Sequence, residues 1–303
     1  MKNKYNLYGL RICSDFDLPE VLGSVAANAG DEGVCDISIE RGSAPKDLKN
    51  SRVYGGFMHV VKDRCLYRFP DIASFLVEEG TRILVDPCPR VDPTEMRAFL
   101  FGSVMGTALH QRGLVPFHVS AVETPRGVVA FTGDAGAGKS TMAGEINHLT
   151  GWPIVTDDVA VLREVENEIV LSAGLGRLKL WKDAVLRLEL DHRDYDRDSY
   201  REDKFHVVSE ELFTTDAKPL SFLVMLKWGA GPDIRKLERV DAFAVVMNAI
   251  YRPYLLDMFG SRKEATKLCC RVAEHIDVLE LFRKADEPLD RTKLNAFIRK
   301  FEN

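Results

Sequence analysis

The sequence lacks the features that mark several large classes of protein. It has no positive net charge, because 41 Lys and Arg residues stand against 46 Asp and Glu residues, for a formal charge of −5. Without a strong positive field to draw it to phosphate backbones, we expect no nucleic-acid partner. Its longest uncharged stretch, 98–111, is too short to span a bilayer, so we expect no membrane segment either.

None of the six cysteines forms a C-x-x-C pair, and the first residues lack the unbroken apolar run of a signal peptide. These absences favour reduced, buried thiols in a cytoplasmic protein over a disulfide framework. Cys269 and Cys270, with His275 downstream, could be interpreted as a metal site, but an apolar helix face explains them more simply. The N-K-x-D and L-S-G-G-Q signatures are also absent, which disfavours GTPase switches and transporter ATPases.

The most informative segment is a glycine-rich one that follows the apolar run 127–132. It reads G-x-x-x-x-G-K-S and comprises Gly133, Asp134, Ala135, Gly136, Ala137, Gly138, Lys139, Ser140 and Thr141. Apolar residues at helical spacing follow, which completes the strand, loop and helix that a Walker A phosphate-binding motif requires. The glycines let backbone N–H groups face a phosphate, Lys139 adds a charge, and Ser140 can ligate Mg²⁺. We therefore expect ATP and Mg²⁺ as cofactors.

Two carboxylates, Asp157 and Asp158, follow the next apolar run, 152–156. Side chains at the carboxyl end of a strand beside a phosphate loop lie where open α/β sheets bind ligands. A phosphotransferase needs one carboxylate for Mg²⁺ and often a second to accept the proton of the attacking hydroxyl. An isolated Asp-Asp pair is more often a helix cap or turn, but its position so soon after the loop favours function.

The pattern before the loop predicts two domains. Short alternating runs between residues 5 and 85, separated by Gly, Pro or charged residues, predict an antiparallel sheet. The prolines of 86–90 mark a boundary, which gives a β-rich N-terminal domain, 1–90, and a second domain, 91–303. Asp92 and Pro93 predict a helix start, with the helix running to about residue 112. A hairpin, 117–123 with 127–132, then leads into the loop.

The order of motifs resembles a known kinase family. The segment His118-x-Ser120-Ala121-Val122-Glu123, the glycine-rich loop, and Gly151-Trp152 through Asp157-Asp158-Val159 are similar to the C-terminal domain of HPr serine kinase/phosphorylase. They more closely resemble HPr-kinase-like serine kinases of bacterial gene clusters, including those that phosphorylate lasso-peptide precursors. Softer matches lie in 176–183, 8–10 and 15–19, so the resemblance covers roughly residues 5 to 20 and most of 93 to 301.

The resemblance implies an α/β P-loop core of the HPr-kinase-like type with a smaller β-rich N-terminal domain. It implies that residues 133–141 bind the nucleotide, with Ser140 on Mg²⁺, and that His118 lies near the transferred phosphoryl group. It further implies that the Asp pair supplies the base and a metal or phosphate contact, and we assign Asp157 as base and Asp158 to the metal. The stretch 167–176 departs from the family signature, so neither reverse phosphorolysis nor HPr as substrate is implied.

Other charged residues have two interpretations each. Arg177 and Lys179 share a face of a predicted strand and either neutralise phosphate charge or form a solvated face. The segment 191–204 is either a mobile polar loop or a lid over the nucleotide, in which case Lys204 contacts phosphate. His118 on its own would be an ordinary half-buried histidine.

Together these features predict a serine kinase that acts on a peptide or protein, with the C-terminal serine of a lasso-peptide precursor as one candidate acceptor. A small-molecule hydroxyl kinase and a non-kinase nucleotide-binding regulatory protein are the alternatives. We expect the N-terminal domain to help recruit the acceptor. The sequence leaves the acceptor and the oligomeric state open, a homo-oligomer included.

Overall fold

The computed structural model describes residues 2–22, 34–198, 201–229, 233–284 and 291–302. The chain forms two compact units, and both are discontinuous in sequence. The first comprises Met1–Pro116 and Arg252–Lys263, and the second comprises Phe117–Tyr251 and Glu264–Asn303. The units therefore do not follow the boundary placed at residue 90, because the helical segment after it belongs with the first unit.

The main sheet of the described first unit has eight strands. Its strands are β1 (Asn3–Leu7), β2 (Leu10–Ser14), β3 (Ile37–Arg41), β4 (Arg52–Tyr54), β5 (Met58–Val61), β6 (Arg64–Phe69), β7 (Ala73–Glu78) and β8 (Arg82–Pro87). Their order is β1-β2-β3-β8-β7-β6-β5-β4. The predicted runs correspond to strands, but β4 was not predicted. The purely antiparallel sheet is also wrong, because β3 runs parallel to both β2 and β8. Long connections before and after β3 permit these parallel pairs.

The pairing of β2 with β3 also brings two cysteines together. Cys13 lies in β2 and Cys35 stands two residues before β3, and the two form a disulfide with Cα atoms 5.9 Å apart. The expectation that all six cysteines are thiols is therefore wrong for this pair. The other four, Cys65, Cys88, Cys269 and Cys270, are free.

The helical segment begins as predicted but is not one regular helix. It comprises α1 (Pro93–Phe99), a π-helical turn (Leu100–Val104) and α2 (Met105–Gln111). The Asp92 carboxylate accepts a hydrogen bond from the Thr94 backbone N–H at 2.8 Å, which confirms the N-cap. The apolar residues of 96–109 cover most of the helix circumference, which predicts a helix packed on several sides, and all of them except Ala98 and Phe99 are buried.

The second unit combines runs of strands with helices between them. Its first elements are β9 (Pro116–Phe117, which begins at the unit boundary), β10 (Ser120–Thr124), β11 (Gly127–Thr132), α3 (Lys139–Thr150), β12 (Ile154–Thr156), β13 (Ala160–Val165) and β14 (Glu168–Ser172). There follow β15 (Arg177–Trp181), α4 (Lys182–Arg187), a 3-10 turn (His192–Asp194), β16 (Asp196–Arg197), β17 (Lys204–Val208), β18 (Lys218–Trp228) and β19 (Asp233–Lys236). The remaining elements are α5 (Arg239–Asn248), α6 (Tyr254–Met258, in the first unit), α7 (Arg262–His275), β20 (Asp277–Arg283), α8 (Arg291–Ile298) and a 3-10 turn (Arg299–Phe301).

Strand directions in the main sheet of this unit bring several strand ends to one edge. β11 and β20 both pair in parallel with β18. β12 is antiparallel to β10, which is antiparallel to β11, so β12 ends at the same edge as β11. The residues that follow β11 and β12 and the last residue of β20 therefore meet there, although they are far apart in sequence.

The later sequence predictions agree with the structure where it describes them. The hairpin β10–β11 is confirmed. The sequence also predicts a break at Arg252–Pro253 and an amphipathic helix over 261–275, and the structure has α5 and α6 on either side of the break and the helix as α7. The apolar spacing of 290–301 predicts a terminal helix, which is present as α8 and its 3-10 turn, although Asp290 lies outside the described residues. Ser199 and Tyr200 of the segment 191–204 also lie outside them. No helix in the described ranges has the length and apolarity needed to cross a membrane.

Candidate active site

The glycine-rich loop connects β11 to α3 in a conformation that needs glycine. Gly133 has φ of 142°, and a Cβ there would lie 2.6 Å from the Leu226 carbonyl oxygen. Gly138 has φ of 81° and immediately precedes the first residue of α3, Lys139. Between them the loop closes through a hydrogen bond from the Ala137 N–H to the Asp134 carbonyl at 3.0 Å. The predicted strand, loop and helix are therefore present in the order that the motif requires.

Lys139 folds back over this loop. Its ammonium donates to the carbonyl oxygens of Gly133 at 2.9 Å and Asp134 at 3.2 Å, and the residue is 8% exposed. Burial lowers the pKa of Lys139, while the carboxylates of Asp157, Asp158 and Asp134 oppose that shift. The charge thus lies between the loop and the Asp pair, where it would attract an anion.

The two neighbouring carboxylates occupy different environments. Asp157 is 2% exposed, and both of its oxygens accept hydrogen bonds: one from the Ser120 hydroxyl at 2.5 Å, the other from the Lys179 backbone N–H at 2.9 Å. Asp158 takes φ of 78° and stays partly accessible. The element that follows the pair is the strand β13, so neither aspartate is a helix cap.

Asp158 forms the centre of a charged cluster. Its carboxylate lies 2.7 Å from the Lys179 ammonium and 3.5 Å from His118 Nε2. Burial would raise the pKa of the Asp158 carboxyl, but Lys179 and His118 outweigh it and hold the pKa well below the usual range. Asp158 therefore stays ionised and is a weak proton acceptor.

His118 does not lie on a regular strand. It falls in the break between β9 and β10, with its backbone N–H bonded to the Ala249 carbonyl and its ring 5.9 Å from the Tyr251 ring. Burial and the charge of Lys139 lower the pKa of His118, against the opposing effect of Asp158. The break directs the ring toward Asp158, which a strand period alone would not predict.

Cations from the small sheet β15-β17-β16 complete the cluster. Arg177, in β15, is 2% exposed, so the solvated-face interpretation is wrong for this residue. Lys204, in β17, lies 5.9 Å from the Trp181 ring centre, and burial, Arg201 and Lys179 all lower its pKa. Like charges crowded in this way leave a positive region that a phosphate would neutralise.

Arg283 is a candidate site residue that sequence reasoning missed. It ends β20, at the edge where the loop lies, and its guanidinium donates a hydrogen bond to the Ala137 carbonyl. The residues stand 146 positions apart, and Arg283 has no motif around it, so no local sequence signal pointed to this contact.

The site has an oxygen donor set that suits Mg²⁺. Ser140, in the first turn of α3, offers a hydroxyl, and Asp158 offers a carboxylate that stays charged. Within the described residues, no group of three or more His, Cys, Asp or Glu side chains could hold a metal ion. Cys269 is buried on the apolar face of α7, as that interpretation expects, whereas Cys270 and His275 are exposed.

Comparisons with known proteins give little further information. No protein-family model matches the chain, and no curated protein matches it. Among solved structures, the chain is similar to the Hpr(Ser) kinase/phosphatase from Coxiella burnetii, at 11% identity and a TM-score of 0.32, over 61% of this chain and 86% of that one. A likeness this weak assigns no function, so the interpretation below uses the residues of this chain.

Proposed function

We propose that the chain is an ATP-dependent kinase that transfers the γ-phosphoryl group to a serine hydroxyl of a peptide or protein. The supporting observation is that the glycine-rich loop, Lys139 and two carboxylates in unlike environments meet at one sheet edge. Backbone N–H groups of the loop and the Lys139 charge suit the phosphates of a nucleotide. The Asp pair suits the acceptor side of the reaction.

In the proposed step, the acceptor serine oxygen attacks the γ-phosphorus. The new oxygen–phosphorus bond forms as the bond to the bridging oxygen breaks, ADP leaves with that electron pair, and Asp157 takes the hydroxyl proton. Asp157 already accepts a hydroxyl hydrogen bond from Ser120, so its environment accommodates an O–H donor. His118, Lys179 and Asp158 would face the transferred group, with Arg177 and Lys204 nearby to offset its charge.

Ser140 and Asp158 are the residues that would hold Mg²⁺. The ion would supply charge neutralisation at the nucleotide phosphates, whose oxygens and water would complete its ligands. Asp158 would exchange part of its contact with Lys179 for this role. With Asp158 assigned to the metal ion, Asp157 is the proton acceptor.

The acceptor class is a narrower proposal. The sequence resemblance favours a serine in a peptide, and the C-terminal serine of a lasso-peptide precursor is the specific candidate. The first unit would help to recruit this acceptor, because the phosphate site is built from residues of the second unit.

Incubation with γ-labelled ATP tests the function. Wild-type chain should label peptides that end in serine, and Lys139→Ala should lose about 10²-fold or more of that transfer. Lys236→Ala, an exposed lysine in the same unit, is the matched control and should keep wild-type transfer. Label on free serine or another small alcohol alone would favour the small-molecule kinase. Nucleotide binding with no transfer to any acceptor would favour the regulatory protein.

A further inference from the structure

Arg283 carries a buried charge at the outer side of the glycine-rich loop. It is 8% exposed, and burial lowers its pKa to about 10, with Glu145 opposing the shift. In the described part of the chain, no carboxylate lies within ion-pair distance, and its Nε is buried without a hydrogen-bond partner. A guanidinium held in this way costs stability, and its contacts indicate what it does in return.

Its contacts converge on the residues just before Lys139. One terminal nitrogen donates to the Ala137 carbonyl, and the other would lie 3.3 Å from a Cβ placed on Gly138. The guanidinium also stacks over Trp228, with its central carbon 4.7 Å from the ring centre. Trp228 ends β18, so the arginine is fixed between the sheet edge and the loop.

We infer that Arg283 is a positioning residue for the glycine-rich loop. By holding the Ala137 carbonyl on the outer side, it fixes the peptide that leads into Gly138 and α3, and so directs the following N–H groups toward the nucleotide phosphates. Gly138 is then favoured by its left-handed backbone, and a Cβ there would also press on the guanidinium at 3.3 Å. The effect on nucleotide affinity rests on the proposed function, whereas the effect on the loop does not.

Two substitutions and one control test this inference. Arg283→Met keeps an apolar chain over Trp228 but removes every donor, and Arg283→Lys keeps one charged donor group. The control is Arg235→Met, in the strand β19 that pairs with β20, where Arg235 binds Glu280 and not the loop. Thermal unfolding of each variant is measured first.

Hydrogen–deuterium exchange of residues 134–139 in the ligand-free chain is the first readout. Arg283→Met should raise loop exchange about tenfold, Arg283→Lys by less, and Arg235→Met not at all. The second readout is the calorimetric affinity for ATP, which should fall about tenfold in Arg283→Met, with partial rescue in Arg283→Lys. A lowered melting temperature alone would not produce this pattern, because Arg235→Met also removes a cation from the buried Glu280.

The outcomes separate the two proposals. Unchanged loop exchange and unchanged ATP affinity in a folded Arg283→Met would overturn the inference. If Arg283→Met does not fold, wild-type exchange and affinity in Arg283→Lys would overturn it, and intermediate values would support it. If the wild-type chain binds ATP but labels no acceptor, the kinase fails and the positioning role stands. If it binds no ATP, both the kinase and the nucleotide role of Arg283 fail.

Discussion

The two units differ sharply in what they bury. Among described residues of the first unit, the buried acidic or basic side chains are Glu20 and His110. The second unit buries six: Lys139, Asp157, Arg177, His206, Glu280 and Arg283. Burying charge is costly unless it is paired. Its concentration in one unit is the pattern expected if the proposed site lies there.

The kind of pairing differs as well. In the first unit, Glu20 is held by Arg97, whose Nε donates to both carboxylate oxygens at 2.9 Å. In the second, Asp157 accepts neutral donors, Asp158 shares several cations, and Arg283 has no ion pair among described residues. Glu280 of the second unit is held by Lys227 and Arg235 and is as closed as Glu20. The contrast therefore belongs to the residues around the glycine-rich loop, whose charges are not closed in simple pairs.

The largest expected effect is a loss of phosphoryl transfer that differs in kind between Asp157 and Asp158 variants. Asp157→Asn should lower phosphoryl transfer by about 10³-fold at saturating ATP, because a general base typically contributes this much. Asp158→Asn should instead raise the Mg²⁺ concentration needed for half-maximal transfer. Rates measured across a Mg²⁺ titration distinguish the two.

Ser120→Ala is the control for this pair, since it removes a hydrogen bond to Asp157 without touching the carboxylate. It should cost less than tenfold in rate. Wild-type transfer by Asp157→Asn would reject the base assignment, and a loss in Asp158→Asn that excess Mg²⁺ does not alter would reject the metal assignment.

The next effect belongs to the first unit. Arg97→Met should lower the free energy of unfolding by about 3 kcal/mol, because Glu20 loses its cation while it stays buried. ATP affinity, measured by calorimetry below the unfolding transition, should not change. The double variant Glu20→Gln, Arg97→Met should recover part of the lost stability. A fall in ATP affinity that matches the loss of stability would erase the distinction between the units.

How much of the site the sequence predicts depends on how local its signals are. The loop and the Asp pair lie within 26 positions, Gly133 to Asp158, and each motif residue has a chemical reason that needs no tertiary structure. Arg177, Lys179 and Lys204 of the small sheet can also be picked out from the sequence, but each has two interpretations there. His118 was predicted as a site residue, but not the break in the strand that turns it toward Asp158.

What the sequence does not show depends on register and long-range pairing. The parallel β2–β3 pair decides whether Cys13 meets Cys35, and no periodicity reports strand direction. Likewise, Arg283 reaches Ala137 only because β20 adds to β18 in parallel. The units are discontinuous in sequence because the segment that contains α6 belongs to the first unit. Local sequence patterns do not show with which unit a helix packs.

The smallest expected effect is a pH dependence of stability that arises in the second unit. His206 is 4% exposed, lies 3.3 Å from Asp198, and has its pKa lowered by burial, with Asp198 opposing and Arg177 and Lys179 reinforcing the shift. Above about pH 6.5 both folded and unfolded chains hold this histidine neutral. Below that pH the unfolded chain binds the proton first, so folding loses stability as the pH falls toward the folded-state pKa.

His206→Gln should therefore flatten the decline between pH 7 and 5, by at most about 1.4 kcal/mol per pH unit for one proton. Chemical denaturation at several pH values measures it, as the difference in slope from the wild-type chain. The control is His148→Gln, an exposed histidine on α3, which should follow the wild-type slope. An unchanged slope in His206→Gln would mean that this buried histidine does not make the stability of the chain depend on pH. The larger number of buried titratable groups in the second unit would then not imply a larger sensitivity to acid.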